Sequence, residues 1–142
     1  MKRKPNLRDF KKADEICKGF RAKVFFGYSG DGSEVDVEER HINIDLEEVS
    51  SVNVFWSLVF HELAHIWCWD NEKYITYHAD SLSPKEMSKY IRRNGLKIEQ
   101  YVDKMGRKLG KESGIKFRFC PSYKSKKDKE WYRGWIEREY PL

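Results

Sequence analysis

Residues 52 to 65 read VNVFWSLVFHELAH, an apolar run that ends in the five residues His61-Glu62-Leu63-Ala64-His65. Leu58, His61 and His65 follow the i, i+3, i+7 spacing of one helix face. Ser50 or Ser51 stands where the N-cap of such a helix is expected. The stretch therefore predicts a buried helix that carries two histidines one turn apart.

The pattern H-E-x-x-H on a helix has the spacing of a zinc metallopeptidase. His61 and His65 would lie about 40° apart around the helix axis, so both imidazoles can reach one metal ion. Glu62 lies between them, close enough to accept a proton from a zinc-bound water without being a ligand. Burying these side chains without partners is costly, which favours a metal site over paired structural histidines. We expect a Zn²⁺-dependent peptidase with Glu62 as general base, acting on a protein or peptide.

A catalytic zinc site needs a third protein ligand and leaves its fourth position for water. The metzincin extension is excluded, because Cys68 and Asn71 occupy the positions of its glycine and its third histidine. The third ligand must therefore come from elsewhere in the chain.

Glu99 is one candidate for that ligand. It lies in a segment, from about Leu96 to Gly110, whose apolar stripe predicts a helix: Ile98, Val102, Met105 and Leu109. Asp103, one turn after Glu99, could accept a hydrogen bond from a ligand histidine. The alternative is that both acids face solvent, as polar residues beside an apolar stripe often do.

This arrangement resembles the gluzincin pattern, in which a helix downstream of H-E-x-x-H supplies a glutamate ligand. Over residues 22 to 110 the chain is similar to small bacterial and phage proteins that include the ImmA/IrrE-like group. The resemblance implies that His61, His65 and Glu99 bind the metal, with Glu62 as the base and Asp103 supporting a ligand. It also implies that one specific regulatory protein could be the substrate.

The same resemblance implies a minimal zincin-like domain of the α+β class. Its expected parts are an N-terminal helix, a small antiparallel sheet or hairpin, the H-E-x-x-H helix and the downstream glutamate helix.

His78 is the alternative third ligand. Proteases similar to SprT, which act on protein crosslinked to DNA, take a third histidine at a comparable distance from the motif. Their usual glycine after that histidine is absent, since Ala79 follows His78. A lone histidine in a polar loop is otherwise typical of a protein surface. The sequence leaves the choice between Glu99 and His78 open.

The 142 residues predict one domain, with its core at about 22–110 and a basic, aromatic C-terminal segment at 111–142. The N-terminal half predicts a helix from about Leu7 to Phe20, a strand from Arg21 to Tyr28, a turn from Ser29 to Ser33 and a second strand from Val35 to Leu46. The edge of this hairpin could bind substrate as an added strand, or simply cover the core.

After the motif helix, Asp70 to Ser83 reads as a polar linker. Pro84 then predicts the start of a helix from about Lys85 to Asn94, which Gly95 would separate from the glutamate helix. Sites of this kind often add a tyrosine or histidine donor for the oxyanion, and the candidates are Tyr74, Tyr77, His78, Tyr101 and Tyr132.

Charge is unevenly distributed along the chain. Residues 1–23 hold nine bases and three acids, residues 24–103 seven and fifteen, and residues 104–142 twelve and five. Basic ends favour a polyanion as partner, and the aromatic residues among the C-terminal bases are typical of grooves for single-stranded nucleic acid. A solvated basic face with its aromatics in the core is the alternative. The competing hypotheses are a SprT-like DNA-associated protease and a nucleic-acid-binding protein with a structural zinc.

Cysteine usage and hydropathy bear on the compartment. The three cysteines Cys17, Cys68 and Cys120 are odd in number and form no C-x-x-C pair, so we expect reduced thiols. No apolar run reaches the length of a membrane span, and the basic start leads to no signal-type apolar region. These features predict a cytoplasmic protein with no membrane partner.

Overall fold

The computed structural model of the chain describes residues 3–71, 82–122 and 125–141. Within these ranges the elements follow the order α1 (Leu7–Gly19), β1 (Lys23–Gly27), β2 (Glu34–Asp36), β3 (His41–Asp45), α2 (Val52–Asp70), α3 (Pro84–Ser113) and α4 (Lys126–Glu139). A single 3-10 turn, Leu46–Glu48, joins β3 to α2. Helices and a small sheet in the described part of the chain confirm the predicted α+β class.

The N-terminal helix α1 begins where the sequence predicts it. Asn6 caps the helix by accepting the backbone N–H of Asp9, and the Asp9 carboxylate accepts the N–H of Asn6 in return. Arg3 adds an ion pair to the same carboxylate at 2.7 Å. These contacts hold the first turn of α1 against the start of α2, where the Val52 amide donates to the Arg3 carbonyl.

The sheet has the strand order β1-β3-β2. β1 and β3 are parallel, with Val24 opposite Ile42 and Phe26 opposite Ile44, whereas β2 is antiparallel to β3. Burial alternates along β3, because Ile42 and Ile44 are buried against α2 while Asn43 between them is exposed.

The predicted single strand from Val35 to Leu46 is wrong. The chain turns back at residues 37–40, and Arg40 adopts a left-handed φ of 59° that lets β3 return beside β2. Leu46 is already in the 3-10 turn. The sheet is therefore mixed rather than purely antiparallel, with β2 as a short edge strand on the far side of β3 from β1.

Helix α2 lies at the centre of the molecule, between the sheet and α3. Ser51 is its N-cap, as one of the two predicted positions, and its side chain accepts the N–H of Val54. Apolar residues on most of its circumference are buried, including Phe55, Val59 and Leu63. An all-round apolar helix of this kind is stable only in the middle of a core.

Helix α3 runs without interruption through Gly95, so the predicted break at Gly95 is wrong. A Cβ at Gly95 would lie 2.7 Å from the Tyr132 hydroxyl oxygen. The glycine is thus required by close contact with α4 and not by a turn. α3 ends where Gly114 takes a left-handed φ of 79°.

The C-terminal segment returns over α2 before forming α4. Residues 115–122 are extended and lie along the buried helix, where the Arg118 amide donates to the Asn53 side chain at 3.0 Å. The Cys120 amide donates to the Ser57 hydroxyl at 2.8 Å. α4 then packs on α3. The sequence analysis predicted neither this path nor α4.

Candidate metal centre

Two helices bring the predicted ligand residues together. α2 presents His61 and His65 from successive turns, and α3 presents Glu99 opposite them. The Glu99 carboxylate lies 2.9 Å from His61 Nε2 and 3.5 Å from His65 Nε2. One nitrogen or oxygen of each residue lies within 4.8 Å of the others. This group could hold a metal ion.

His61 is held in place by a contact of Nδ1, its second ring nitrogen. Nδ1 lies 2.7 Å from Asp103 Oδ1, in a buried contact. A carboxylate only accepts hydrogen bonds, so Nδ1 carries the proton, and Nε2, which faces Glu99, is the nitrogen that could bind a metal ion. Asp103 thus occupies the supporting position that the resemblance implied.

The donor set fits zinc in kind and in spacing. Zinc takes imidazole nitrogens and carboxylate oxygens at about 2.0–2.2 Å in a tetrahedron, which sets neighbouring donors about 3.3 Å apart. Glu99 Oε2 lies 2.9 Å from His61 Nε2 and Glu99 Oε1 lies 3.5 Å from His65 Nε2, both near that value, and one donor atom of each of the three residues lies within 4.8 Å of the others.

The electrostatics of the cluster also favour a cation. Burial acts to raise the pKa of Glu99, but its hydrogen bonds to His61 and His65 reverse this and hold the pKa far below its ordinary value. Burial likewise acts to lower the pKa of His61, whereas Asp103 and Glu99 hold it well above the ordinary value. The carboxylates therefore stabilise positive charge at the point where the imidazoles meet.

Glu62 stands beside the cluster without joining it. The residue is only 6% exposed, and the described residues give its carboxylate no hydrogen bond. Burial raises the pKa of Glu62, with His61 and His65 acting against the rise. A buried carboxylate of raised basicity next to a metal-binding group is suited to accept a proton.

A cleft of about 600 Å³ opens over the cluster. β2 and its preceding loop form one wall, α4 forms the other, and Glu62, His61, His65 and Glu99 lie at its floor. A second lobe of about 390 Å³ continues past Glu62 toward the Cys120 end of the extended segment. A polypeptide could therefore pass across Glu62 from one lobe to the other.

The extended segment also supports the cluster, a role that the sequence analysis missed. The Ser122 amide donates to Asp103 Oδ2 at 2.9 Å, so Asp103 is held between Ser122 and His61. Asn53 and Ser57, two polar residues in the apolar first half of α2, could have indicated this role, because they accept the amides of Arg118 and Cys120.

Several predicted positions lie outside the described residues. These are the alternative ligand His78 and the candidate oxyanion donors Tyr74 and Tyr77. Of the other two candidate donors, Tyr132 lines the cleft from α4, whereas Tyr101 is not among its lining residues. The structure therefore brings Glu99 to the two histidines, and His78 as third ligand stays a prediction.

The three cysteines form no disulfide in the described part of the chain, and Cys17 and Cys68 are buried. Cys68 lines the larger lobe of the cleft, and burial raises the pKa of Cys17 to about 12. Neither residue belongs to the group that could hold a metal.

Comparison with known proteins yields no match for this chain among protein-family models, curated proteins or solved structures. None of the helices in the described ranges combines the length and the apolar character that crossing a membrane requires.

Proposed function

We propose that the protein is a zinc-dependent peptidase of the gluzincin type, with His61, His65 and Glu99 as ligands and Glu62 as general base. The observation that carries the proposal is the position of Glu62. It is a buried carboxylate without a hydrogen bond from the described residues, adjacent to two histidines and a glutamate that share one point. A pair of histidines with a purely structural role would not require the Glu62 carboxylate beside it.

A bound zinc ion supplies an activated water at neutral pH and polarises the carbonyl of the scissile bond. Glu62 accepts the proton of the attacking water and passes it to the leaving amine nitrogen. Asp103 keeps His61 in the tautomer that binds through Nε2. Of the candidate oxyanion donors in the described residues, Tyr132 is the one that lines the cleft.

The edge strand β2 offers a means of binding an extended substrate. It pairs with β3 on one side only, and Glu34 and Val35 of β2 line the cleft. A peptide added along this edge would gain main-chain hydrogen bonds whatever its side chains. Its scissile bond would then lie toward the cleft floor and Glu62.

Zinc content and hydrolysis, measured together, test the proposal. Zinc is quantified in the purified protein by elemental analysis, and cleavage is followed by mass spectrometry on a library of proteome-derived peptides. Glu62→Gln should retain zinc and lose roughly 100- to 10,000-fold in turnover, the usual contribution of a general base. Glu99→Ala should lose zinc and hydrolysis together.

Glu112→Gln is the matched control, because it removes an exposed carboxylate from the same helix as Glu99. It should behave as wild type in both measurements. Wild-type cleavage by Glu62→Gln would show that Glu62 is not the base, and full zinc content in Glu99→Ala would transfer the third ligand to another residue, with His78→Ala as the next variant.

The DNA-associated and nucleic-acid-binding alternatives stay predictions. They depend on His78 and on the basic ends of the chain. Several aromatic residues of the C-terminal segment pack inward, since Phe117 stacks on Phe60 and Tyr132 is buried. This packing makes them part of the fold, and no observation favours these alternatives over the peptidase.

A further inference from the structure

The two lobes of the cleft are alike in the charge of the residues that line them. Although 28 of the 142 residues are lysine or arginine, none of the described residues lining either lobe is one of them. Four exposed acids line the lobes instead: Asp31, Glu34, Glu48 and Asp128. The described lining of the cleft is therefore acidic although the protein is basic, which disfavours a polyanion and favours a cationic ligand.

Glu48 is the one of these four exposed acids that lines both lobes, as Glu62 and His61 also do. Its Oε1 accepts the Ser33 amide at 2.6 Å, so the carboxylate is held in one place while the side chain remains exposed. A fixed carboxylate with an oxygen facing the cleft is pre-organised to receive an ammonium or guanidinium group.

Trp131 faces the same place from α4. It also lines both lobes, and 59% of the residue is exposed, which makes it one of the few large apolar residues left in solvent. Trp135 and Tyr140 extend the aromatic wall along the larger lobe. Aromatic faces opposite carboxylates bind cationic side chains better than either group does alone.

Glu62 provides an observation independent of the exposed acids. The residue is only 6% exposed and lines both lobes, and the described residues provide its carboxylate with no hydrogen bond. Because no fully buried side-chain oxygen of the described residues lacks a partner, the Glu62 oxygens must reach the cleft, where a bound ligand can donate to them. The exposed acids around the cleft then determine the charge that such a ligand carries.

We infer that the cleft selects polypeptide segments rich in lysine or arginine, with Glu48 and Trp131 as the specificity-determining residues. This inference rests on the proposed peptidase function and adds its substrate class. A basic side chain beside the scissile bond would place its charge on Glu48 and its aliphatic stem or guanidinium plane on Trp131.

Peptide binding separates this inference from the proposed function. The zinc-loaded Glu62→Gln protein is titrated into two fluorescein-labelled peptides that differ only in having lysine or glutamine at alternate positions. One surface ion pair and one cation–π contact together predict that the lysine peptide binds about tenfold more tightly. This preference should weaken as salt is raised.

Glu48→Gln and Trp131→Ala, each added to Glu62→Gln, should abolish most of the preference for the lysine peptide. Both residues are exposed, and the glutamine retains an oxygen for the Ser33 amide, so circular dichroism should show an unchanged fold. Glu112→Gln removes the same charge far from the cleft lining and should retain the preference. Equal affinity for the two peptides, or a preference that survives both cleft variants, would overturn the inference.

Hydrolysis of the same two peptides by the wild-type protein is read separately. Cleavage of both at equal rates with equal affinity supports the peptidase and rejects the basic-segment selection. Selective binding of the lysine peptide with no cleavage of either peptide, or of the library, rejects the peptidase and leaves a cleft that binds basic segments.

Discussion

Asp103 joins two parts of the site that are far apart in sequence. One of its oxygens accepts His61 Nδ1–H and the other accepts the Ser122 amide. Asp103 is only 8% exposed, and its contact with His61 is buried, whereas its contact with Ser122 is partly buried. Its role is to orient a ligand and not to bind the metal itself.

Asp103→Asn should weaken zinc binding by about 10- to 100-fold, the usual cost of removing a partner of a ligand histidine. The amide retains one acceptor oxygen but carries no charge, so it holds the required tautomer of His61 less well. Competition with a fluorescent chelator measures the affinity. Glu112→Gln serves again as the control on the same helix, and an affinity within about twofold of wild type would refute the role of Asp103.

The pair of helices α2 and α3 sets the distance between the histidines and Glu99. Gly106 of α3 lies against the backbone of α2, where an added Cβ would be 3.0 Å from the Phe60 carbonyl oxygen and 3.2 Å from the His61 amide nitrogen. Both neighbours are backbone atoms, so they can move only if the helices separate. The glycine is therefore a requirement of helix packing and, through it, of the metal site.

Gly106→Ala should destabilise the fold by about 1–3 kcal/mol through overpacking, despite the higher helix propensity of alanine. It should also weaken metal binding, because separating the helices moves Glu99 away from His61 and His65. Urea denaturation measures the free energy of unfolding. Gly134→Ala is the matched control on α4, where only the flexible end of Arg138 is near, at 3.4 Å, and it should be neutral or stabilising.

Prediction from the sequence succeeded at the level of single helices and failed where distant elements meet. The spacing of His61, His65, Glu99 and Asp103 follows from helical periodicity, which is local. The break at Gly95 was wrong because the reason for that glycine is a contact with Tyr132, on a helix that the pattern did not reveal. The pattern of neighbouring residues in a sequence does not reveal contacts between residues that are far apart in it.

The sheet shows the same limit. The predicted strand is correct at Ile42 and Ile44, which lie in β3 with the period-two burial of a strand, a local property. Its partner was not predictable, since the parallel pairing of β1 with β3 depends on the reversal at Arg40. Arginine with a left-handed φ gives no turn signal comparable to glycine.

At the scale of the whole molecule, Arg40 connects three elements. Its guanidinium pairs with Asp70 through two contacts of 2.6 and 2.9 Å at the end of α2. It also donates to the carbonyls of Phe20 and Arg21, just after α1. Arg40 thereby links the turn before β3 to the C-terminal ends of α1 and α2. Asp70 is the last residue of α2.

The hydrogen bond with Arg40 lowers the pKa of Asp70 below 3.8. A lowered folded-state pKa means that the ion pair stabilises the fold above the unfolded pKa and that this contribution is lost as pH falls through the folded value. Asp70→Asn should therefore cost about 1 kcal/mol at pH ~7, since both side chains are partly solvated. The difference from wild type should shrink below pH ~4.

Urea denaturation across this pH range measures the effect of Asp70→Asn. Asp14→Asn is a suitable control, because it removes an ion pair with Lys18 whose side chains are 44% and 71% exposed. That loss should be smaller at neutral pH. A cost of Asp70→Asn that stays constant down to strongly acidic pH would contradict the ion-pair explanation.

The segment along α2 has a consequence for hydrogen exchange. The amides of Arg118, Cys120 and Ser122 donate to side chains, whereas the described residues provide no acceptor for the amides of 117 and 119. Deuterium should therefore enter this segment in an alternating pattern, slowly at the bonded amides and quickly between them. Because Ser122 shares Asp103 with His61, its exchange should slow further when the metal is bound, so one backbone amide reports the occupancy of the site.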